Sequence, residues 1–224
     1  VIDNDMIVVE TKPACDAAII WMHGLGVDGS DFPPTIPYLK LPKELAARFL
    51  FPNAPEQAVT VNGGMVMRSW YDILSMGIGR EINDAQLQSS VSQISDIVTQ
   101  QIDAGIAPER ILLVGFSQGG AVAYETGLSY PGNLGGIAAM STYLPRPIEQ
   151  ISIGNNSVAA LSMPILSLHG EHDDVVPLTL GESAVEQLKQ KGYQPEWHTF
   201  KMAHEVSVES LAVLGRWITQ QLSK

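Results

Sequence analysis

Residues Ile111 to Tyr130 read ILLVGFSQGGAVAYETGLSY: an apolar run, a serine bracketed by glycines, and a stretch compatible with a helix from Gln118 to Leu128. Gly115-Phe116-Ser117-Gln118-Gly119 is a short pattern that chance can supply. Here it falls where a strand hands over to a helix, the setting of a nucleophile elbow. The glycines have a mechanical reason. A turn that sharp brings the strand and helix backbones together, and a Cβ at 115 or 119 collides. Ser117 is therefore expected to protrude. Gln118 opens the helix, so its backbone N–H and the positive end of the helix dipole lie where an oxyanion would develop. Because that role belongs to the backbone, Gln118→Ala is expected to cost little.

A serine hydroxyl attacks poorly unless a base takes its proton and a third group orients that base. His204, in KMAHEVSV, follows the last strand-like run and precedes the last helical pattern, which places it on a loop at the carboxyl end of a sheet. His23 sits among glycines in WMHGLG and reads as a residue that shapes the backbone. His169, His172 and His198 flank or occupy strand-like runs, where neutral core or surface roles suit them better. The acid should come from HGEHDDVVP, after the run PILSL, which offers Glu171, Asp173 and Asp174. Position alone does not choose among the three. With any of them the chain order is Ser, acid, His, the order of the α/β-hydrolases.

The same alternation extends along the chain. Strand-like runs occupy Met6 to Glu10, Ala17 to Met22, Ile111 to Phe116, Gly136 to Met140, Pro164 to Leu168 and Glu196 to Lys201. Apolar residues spaced three or four apart (Leu87, Val91, Ile94, Val98, Ile102, and later Leu211, Leu214, Ile218, Leu222) mark helices between and after them. This order predicts an α/β fold: a mostly parallel central sheet with helices on both faces and ligands at the carboxyl ends of its strands. Residues 55–80 break the rhythm. Asn62, Gly63 and Gly64 stand between two short β-like runs, which predicts a hairpin. It reads either as a plain edge hairpin or as a flap over a site. The second reading draws on Met65, Val66, Met67, Ile73, Leu74, Met76 and Ile78, which crowd flexible apolar side chains into a glycine-punctuated loop.

With 224 residues, 45% apolar and 17% charged, the chain is expected to form one domain over residues 1–224. A net charge of −11 argues against nucleic acid and against docking on anionic lipid by charge. Membrane contact would have to be apolar. Cys15 is the only cysteine, which excludes an intrachain disulfide and a cysteine-based metal site and fits a reducing, cytoplasmic setting. No run is long enough to span a membrane, and VIDNDMIVVE lacks the basic-then-apolar pattern of a leader.

Taken together, WMHGLGVDGSDF (Trp21 to Phe32), FPNAP (Phe51 to Pro55), VNGGMVMRSWYDI (Val61 to Ile73), GFSQGG, HGEHDDVVP and MAHEV (Met202 to Val206) resemble the acyl-protein thioesterase and carboxylesterase family of small α/β-hydrolases. The resemblance covers nearly the whole chain. It implies a serine hydrolase of carboxylic esters and thioesters, in the range of carboxylesterases, acyl-protein thioesterases that remove palmitoyl groups, and lysophospholipases, with no metal or organic cofactor. Ser117 matches the nucleophile, His204 the general base and Asp173 the orienting acid; the family's HGxxD pattern selects Asp173 over its neighbours. HGLG matches the loop whose Leu25 N–H joins that of Gln118 in the oxyanion hole. Trp70, with Met65, Met67 and Ile73 of the flap, matches the wall of an acyl-binding groove. The resemblance also implies acylated-protein or lipid substrates and a weak homodimer, while the methionines and isoleucines between Met65 and Ile78 suggest peripheral membrane contact through the flap. Two departures, the flap sequence GGMVMRSW and Asp174 where many relatives have proline, leave the triad untouched. Two other readings compete with this one: an esterase for short soluble esters, and a ligand-binding relative that keeps the pocket without catalysis.

Overall fold

Strands that pair in parallel can be joined only by connections about a helix long, and the chain supplies them. The structure, a computed structural model, describes residues 6–76, 80–154 and 161–223. In chain order the strands are β1 (Ile7–Glu10), β2 (Ala17–Met22), β3 (Ala47–Phe51), β4 (Glu56–Val59), β5 (Met65–Arg68), β6 (Ile111–Phe116), β7 (Gly136–Met140), β8 (Ile165–Gly170) and β9 (Glu196–Phe200). The α-helices are α1 (Asp84–Asp103), α2 (Gln118–Ser129), α3 (Leu178–Lys191) and α4 (Val208–Leu222). The main sheet runs β1-β3-β2-β6-β7-β8-β9. Every pairing in it is parallel except β1 with β3.

Strands β2, β7 and β8 are buried at every position, as befits strands covered on both faces. Alternate residues serve opposite layers. Ala18, Ile20, Met22 and Leu113 pack with Leu87, Ile94 and Val98 of α1, with Val122 of α2 and with Leu188 of α3. Ala17, Ile19, Trp21, Leu112 and Val114 pack against Leu211, Leu214, Trp217 and Ile218 of α4. Caps fix where two helices begin. The Asn83 side chain accepts from the Gln86 amide at 3.1 Å, and Ser207 and Ser210 form a reciprocal capping box on α4.

Strand β3 and helix α3 add to the elements read from the sequence, and the first strand starts at Ile7 rather than Met6. The β4–β5 hairpin stands apart as a two-stranded antiparallel sheet with Val59 opposite Met65. A 3-10 turn over Thr60–Asn62 and two left-handed glycines, Gly63 (φ 67°) and Gly64 (φ 79°), close it, a conformation that glycine adopts without steric cost. Ile78, assigned to this flap from sequence, lies outside the described residues. Among the described residues no helix is long and apolar enough to cross a membrane.

Candidate active site

Ser117 sits between β6 and α2 with φ 54° and ψ −121°, a strained backbone for a residue with a Cβ. Such conformations cost roughly 1–3 kcal/mol and persist only where the surroundings over-determine them. Here the Ser117 amide donates to Met140 O at 2.8 Å, and the Thr142 hydroxyl donates to Ser117 O at 2.6 Å. The two glycines are required as expected. A Cβ at Gly115 would lie 2.2 Å from Gly119 O, and one at Gly119 would lie 2.4 Å from Met22 O and 2.5 Å from His23 O.

The loops after β6, β8 and β9 bring Ser117, Asp173 and His204 together. His204 Nε2 lies 2.9 Å from Ser117 Oγ, and Nδ1 lies 2.8 Å from Asp173 Oδ2. A carboxylate only accepts, so Nδ1 carries the proton and Nε2 is left to accept from the serine hydroxyl. Asp173 is in turn fixed by the amides of Val175 and Val176, which donate to Oδ1 at 3.0 and 2.8 Å. Of the three acids in the loop, Asp173 alone bonds His204; Glu171 instead accepts from the Thr199 hydroxyl. The arrangement has the geometry for removing a proton from a serine as it attacks a carbonyl.

Burial pushes the Asp173 carboxyl up, but the hydrogen bonds from His204 and the two amides outweigh it, and its pKa falls below the ordinary value of 3.8. His23 and His169 are pushed below 6.5, chiefly by burial. Groups with depressed folded pKa values are protonated more readily in the unfolded chain, so their contribution is full above the unfolded pKa and falls with pH through the folded value. The urea midpoint should therefore drop on acidification below about pH 6.5 as the two histidines charge, and drop further below about pH 3.8 through Asp173. A midpoint that is flat across the first window would show that the histidines are not held neutral.

His23 shapes the neighbouring loop, as its glycine setting implies. The Ala54 amide donates to Nε2 at 3.0 Å, so Nδ1 bears the proton and donates to Gly24 O at 2.7 Å. Gly26 N donates to Arg68 O at 2.9 Å. These bonds fix the backbone on both sides of Leu25, and both Leu25 and Gln118 line the cleft beside Ser117. The Gln118 amide opens α2 and has no carbonyl in the preceding turn to serve, which leaves it available to an oxyanion.

Two sequence expectations need correcting here. Trp70 does not wall a groove: it is fully buried, and its indole N–H donates to His23 O at 2.9 Å, so it braces the loop from behind. Gln118 does not act through its backbone alone. Its side chain is buried, Oε1 accepts from the Trp70 amide at 2.8 Å, and Nε2 donates to Tyr71 O at 2.7 Å and to Ser69 Oγ at 3.0 Å. Gln118→Ala would strand several buried polar groups, each worth about 1–3 kcal/mol when unpaired. Thermal or urea unfolding should show a loss of about 2–4 kcal/mol; a loss below ~0.5 kcal/mol would refute this role.

The cleft over Ser117 has a volume of about 360 Å³ and is walled by Leu25, Val61, Ile73, Phe116 and Tyr143, with Asp31, Asn62 and Arg80 among its polar residues. Ile73 lies in the cleft lining. Met65 does not: it pairs with Val59 next to the hairpin turn and is 64% exposed. Met67 is half-buried outside the cleft lining, its sulfur accepting from Asn62 Nδ2 at 3.4 Å. Arg80, Tyr143 and Val175 line the cleft without having been singled out from the sequence, since none belongs to a motif with a fixed chemical meaning. A larger groove of about 550 Å³, against α1 and Pro52, contains none of the serine cluster.

Residues 3–222 match the phospholipase/carboxylesterase family. The chain is 37% identical over 215 residues to acyl-protein thioesterase 1 of Saccharomyces cerevisiae, covering 92% of each chain. It is 35% identical over 207 residues to the carboxylesterase SOBER1 of Arabidopsis thaliana, covering 91% of this chain and 90% of the relative. The crystal structure of SOBER1 superposes with a TM-score of 0.86 at 34% identity, over 92% of this chain and 99% of that one. Acyl-protein thioesterase 2 of Zea mays shares the fold, with a TM-score of 0.84 at 23% identity, over 97% and 98% of the two chains. With the serine cluster at the carboxyl ends of its parallel strands, the chain belongs to the phospholipase/carboxylesterase family of α/β-hydrolases.

Proposed function

We propose that the protein hydrolyses carboxylic esters and thioesters of acyl chains through an acyl-enzyme on Ser117. His204 takes the Ser117 proton as Oγ attacks the carbonyl, and Asp173 holds the imidazole in the productive tautomer and stabilises its cation. The amides of Leu25 and Gln118 hold the tetrahedral oxyanion, each worth about 3–4 kcal/mol of barrier. The alcohol or thiol leaves with the proton from His204. Water, activated by the same imidazole, then releases the acid. The observation that carries this reading is the unbroken relay of 2.9 and 2.8 Å contacts from Ser117 through His204 to Asp173. Relatives named as carboxylesterase and as acyl-protein thioesterase support both leaving-group classes.

The cleft, at about 360 Å³, lies near the lower end of ligand pockets, roughly 300–1,000 Å³, which favours a short or medium acyl chain held inside it. Longer chains would emerge over the exposed Met76, Val27 and Val175 at its mouth. That apolar rim is the surface through which a chain this acidic would meet a lipid layer or an acylated protein. The lone cysteine and the acidic balance fit a cytoplasmic setting. Rates on matched esters and thioesters of increasing acyl length test the reading. Turnover of both classes, strongest for short or medium chains, is the expected result; no turnover of either at any length would sink it.

A further inference from the structure

Arg80 is an uncompensated cation in the wall of the cleft. Arg48, Arg68, Arg110 and Arg146 each have a carboxylate within 4.0 Å, whereas among the described residues Arg80 and the exposed Arg216 have none, and of these two only Arg80 lines the cleft. Yet the chain carries 24 acidic residues against 13 basic ones. The guanidinium lies 4.7 Å over the Tyr143 ring, and Nη2 donates to Val175 O at 2.7 Å. Its Nε is buried without a hydrogen-bond partner among the described residues. Of five N–H donors, one is therefore engaged with protein, and the fork is held in place by a ring face and a carbonyl. A half-buried arginine held in this way without a carboxylate presents its remaining donors to an anionic ligand in the cleft.

The cleft lining also includes one carboxyl group. Asp31 lines the cleft from the loop that follows Leu25, outside ion-pair range of Arg80. An acid toward one wall and a cation at another repel and attract the same anion, so the pair orients a substrate that bears one. Resting on the ester-hydrolase reading above, we propose that Arg80 is a specificity-determining residue that binds an anionic group, a carboxylate or a phosphate, carried by the ester substrate. Val175, which Arg80 holds through its carbonyl, donates its amide to Asp173. A purely structural arginine would act through that link and would affect every ester alike.

The test compares kcat/KM for charged and neutral partners in wild type, Arg80→Gln and Arg80→Lys. One pair places the charge on the acyl side: 4-nitrophenyl hydrogen adipate against 4-nitrophenyl methyl adipate. The other places it on the leaving group: the butyrate esters of 4-hydroxybenzoate and of methyl 4-hydroxybenzoate. In at least one pair the anionic-to-neutral ratio should fall about tenfold or more in Arg80→Gln, the scale of one charge-assisted hydrogen bond, with Arg80→Lys in between. Raising salt from about 0.05 M to about 0.5 M should shrink the wild-type ratio and leave that of Arg80→Gln unchanged. Ratios that agree within about twofold across the three proteins on both pairs overturn the role of Arg80 while leaving the hydrolase reading intact. Wild type that cleaves none of the four esters overturns both.

Discussion

Replacing Ser117 with alanine should lower kcat by about 10⁴- to 10⁶-fold while the protein stays folded. The loss follows from the geometry: Oγ is the atom 2.9 Å from His204 Nε2, and without it no acyl-enzyme can form. Alanine has the same Cβ as serine and so inherits the backbone strain at φ 54° without adding to it. The fold should change by no more than about 1 kcal/mol, the worth of one half-buried hydrogen bond. What remains should be the modest acceleration that an oxyanion hole and a binding cleft give to water. Labelling by a fluorophosphonate should vanish with the hydroxyl. His204→Ala in the same protein should add little further loss, because residues that act as a unit are not additive. Retention of kcat within about tenfold by Ser117→Ala would show that another group carries the reaction.

The elbow was legible because local and global signals agree there. A buried apolar strand, two glycines without room for a Cβ and a helix start all fall within ten residues, and together they imply the turn that none of them implies alone. His204 and Asp173 were legible by loop position, and Asp173 was singled out from its neighbours only through the family pattern. Other features lay hidden for physical reasons. Strand β3, ARFLF, carries Arg48 at its second position, paired with Glu10 of the neighbouring β1 at 2.8 Å, and the charge masks a short run. Helix α3 buries Gly181 and Ala184 beside Val185 and Leu188, and the two small residues do not stand out as apolar anchors. Trp70 and Gln118 were misread for one reason. Trp70 was placed by the family resemblance and Gln118 by its backbone, and the partners that fix their side chains lie 47 or more residues away in sequence, at His23, Ser69 and Tyr71.

Gly119→Ala should couple a packing defect to catalysis, with a loss of activity of about 10²- to 10³-fold and a loss of stability of about 2–4 kcal/mol. The added Cβ would lie 2.4 Å from Met22 O and 2.5 Å from His23 O. Both obstacles are backbone, so no side chain can swing aside. Relief requires either the start of α2 to lift off the sheet or the end of β2 to retreat. The first movement carries the Gln118 amide away, and the second carries the His23-Gly24-Leu25 loop. Each therefore displaces one oxyanion donor, whose loss costs about 3–4 kcal/mol of barrier. The two proposed donors thus come from opposite sides of one contact that only a glycine permits, which ties a packing requirement directly to catalysis. The kinetic signature should separate this variant from Ser117→Ala. Ser117 stays in place, so fluorophosphonate labelling should persist at a reduced rate, and kcat should fall more than KM rises. Near wild-type kcat in a folded Gly119→Ala protein would show that the backbone contact between β2 and α2 does not set the oxyanion geometry.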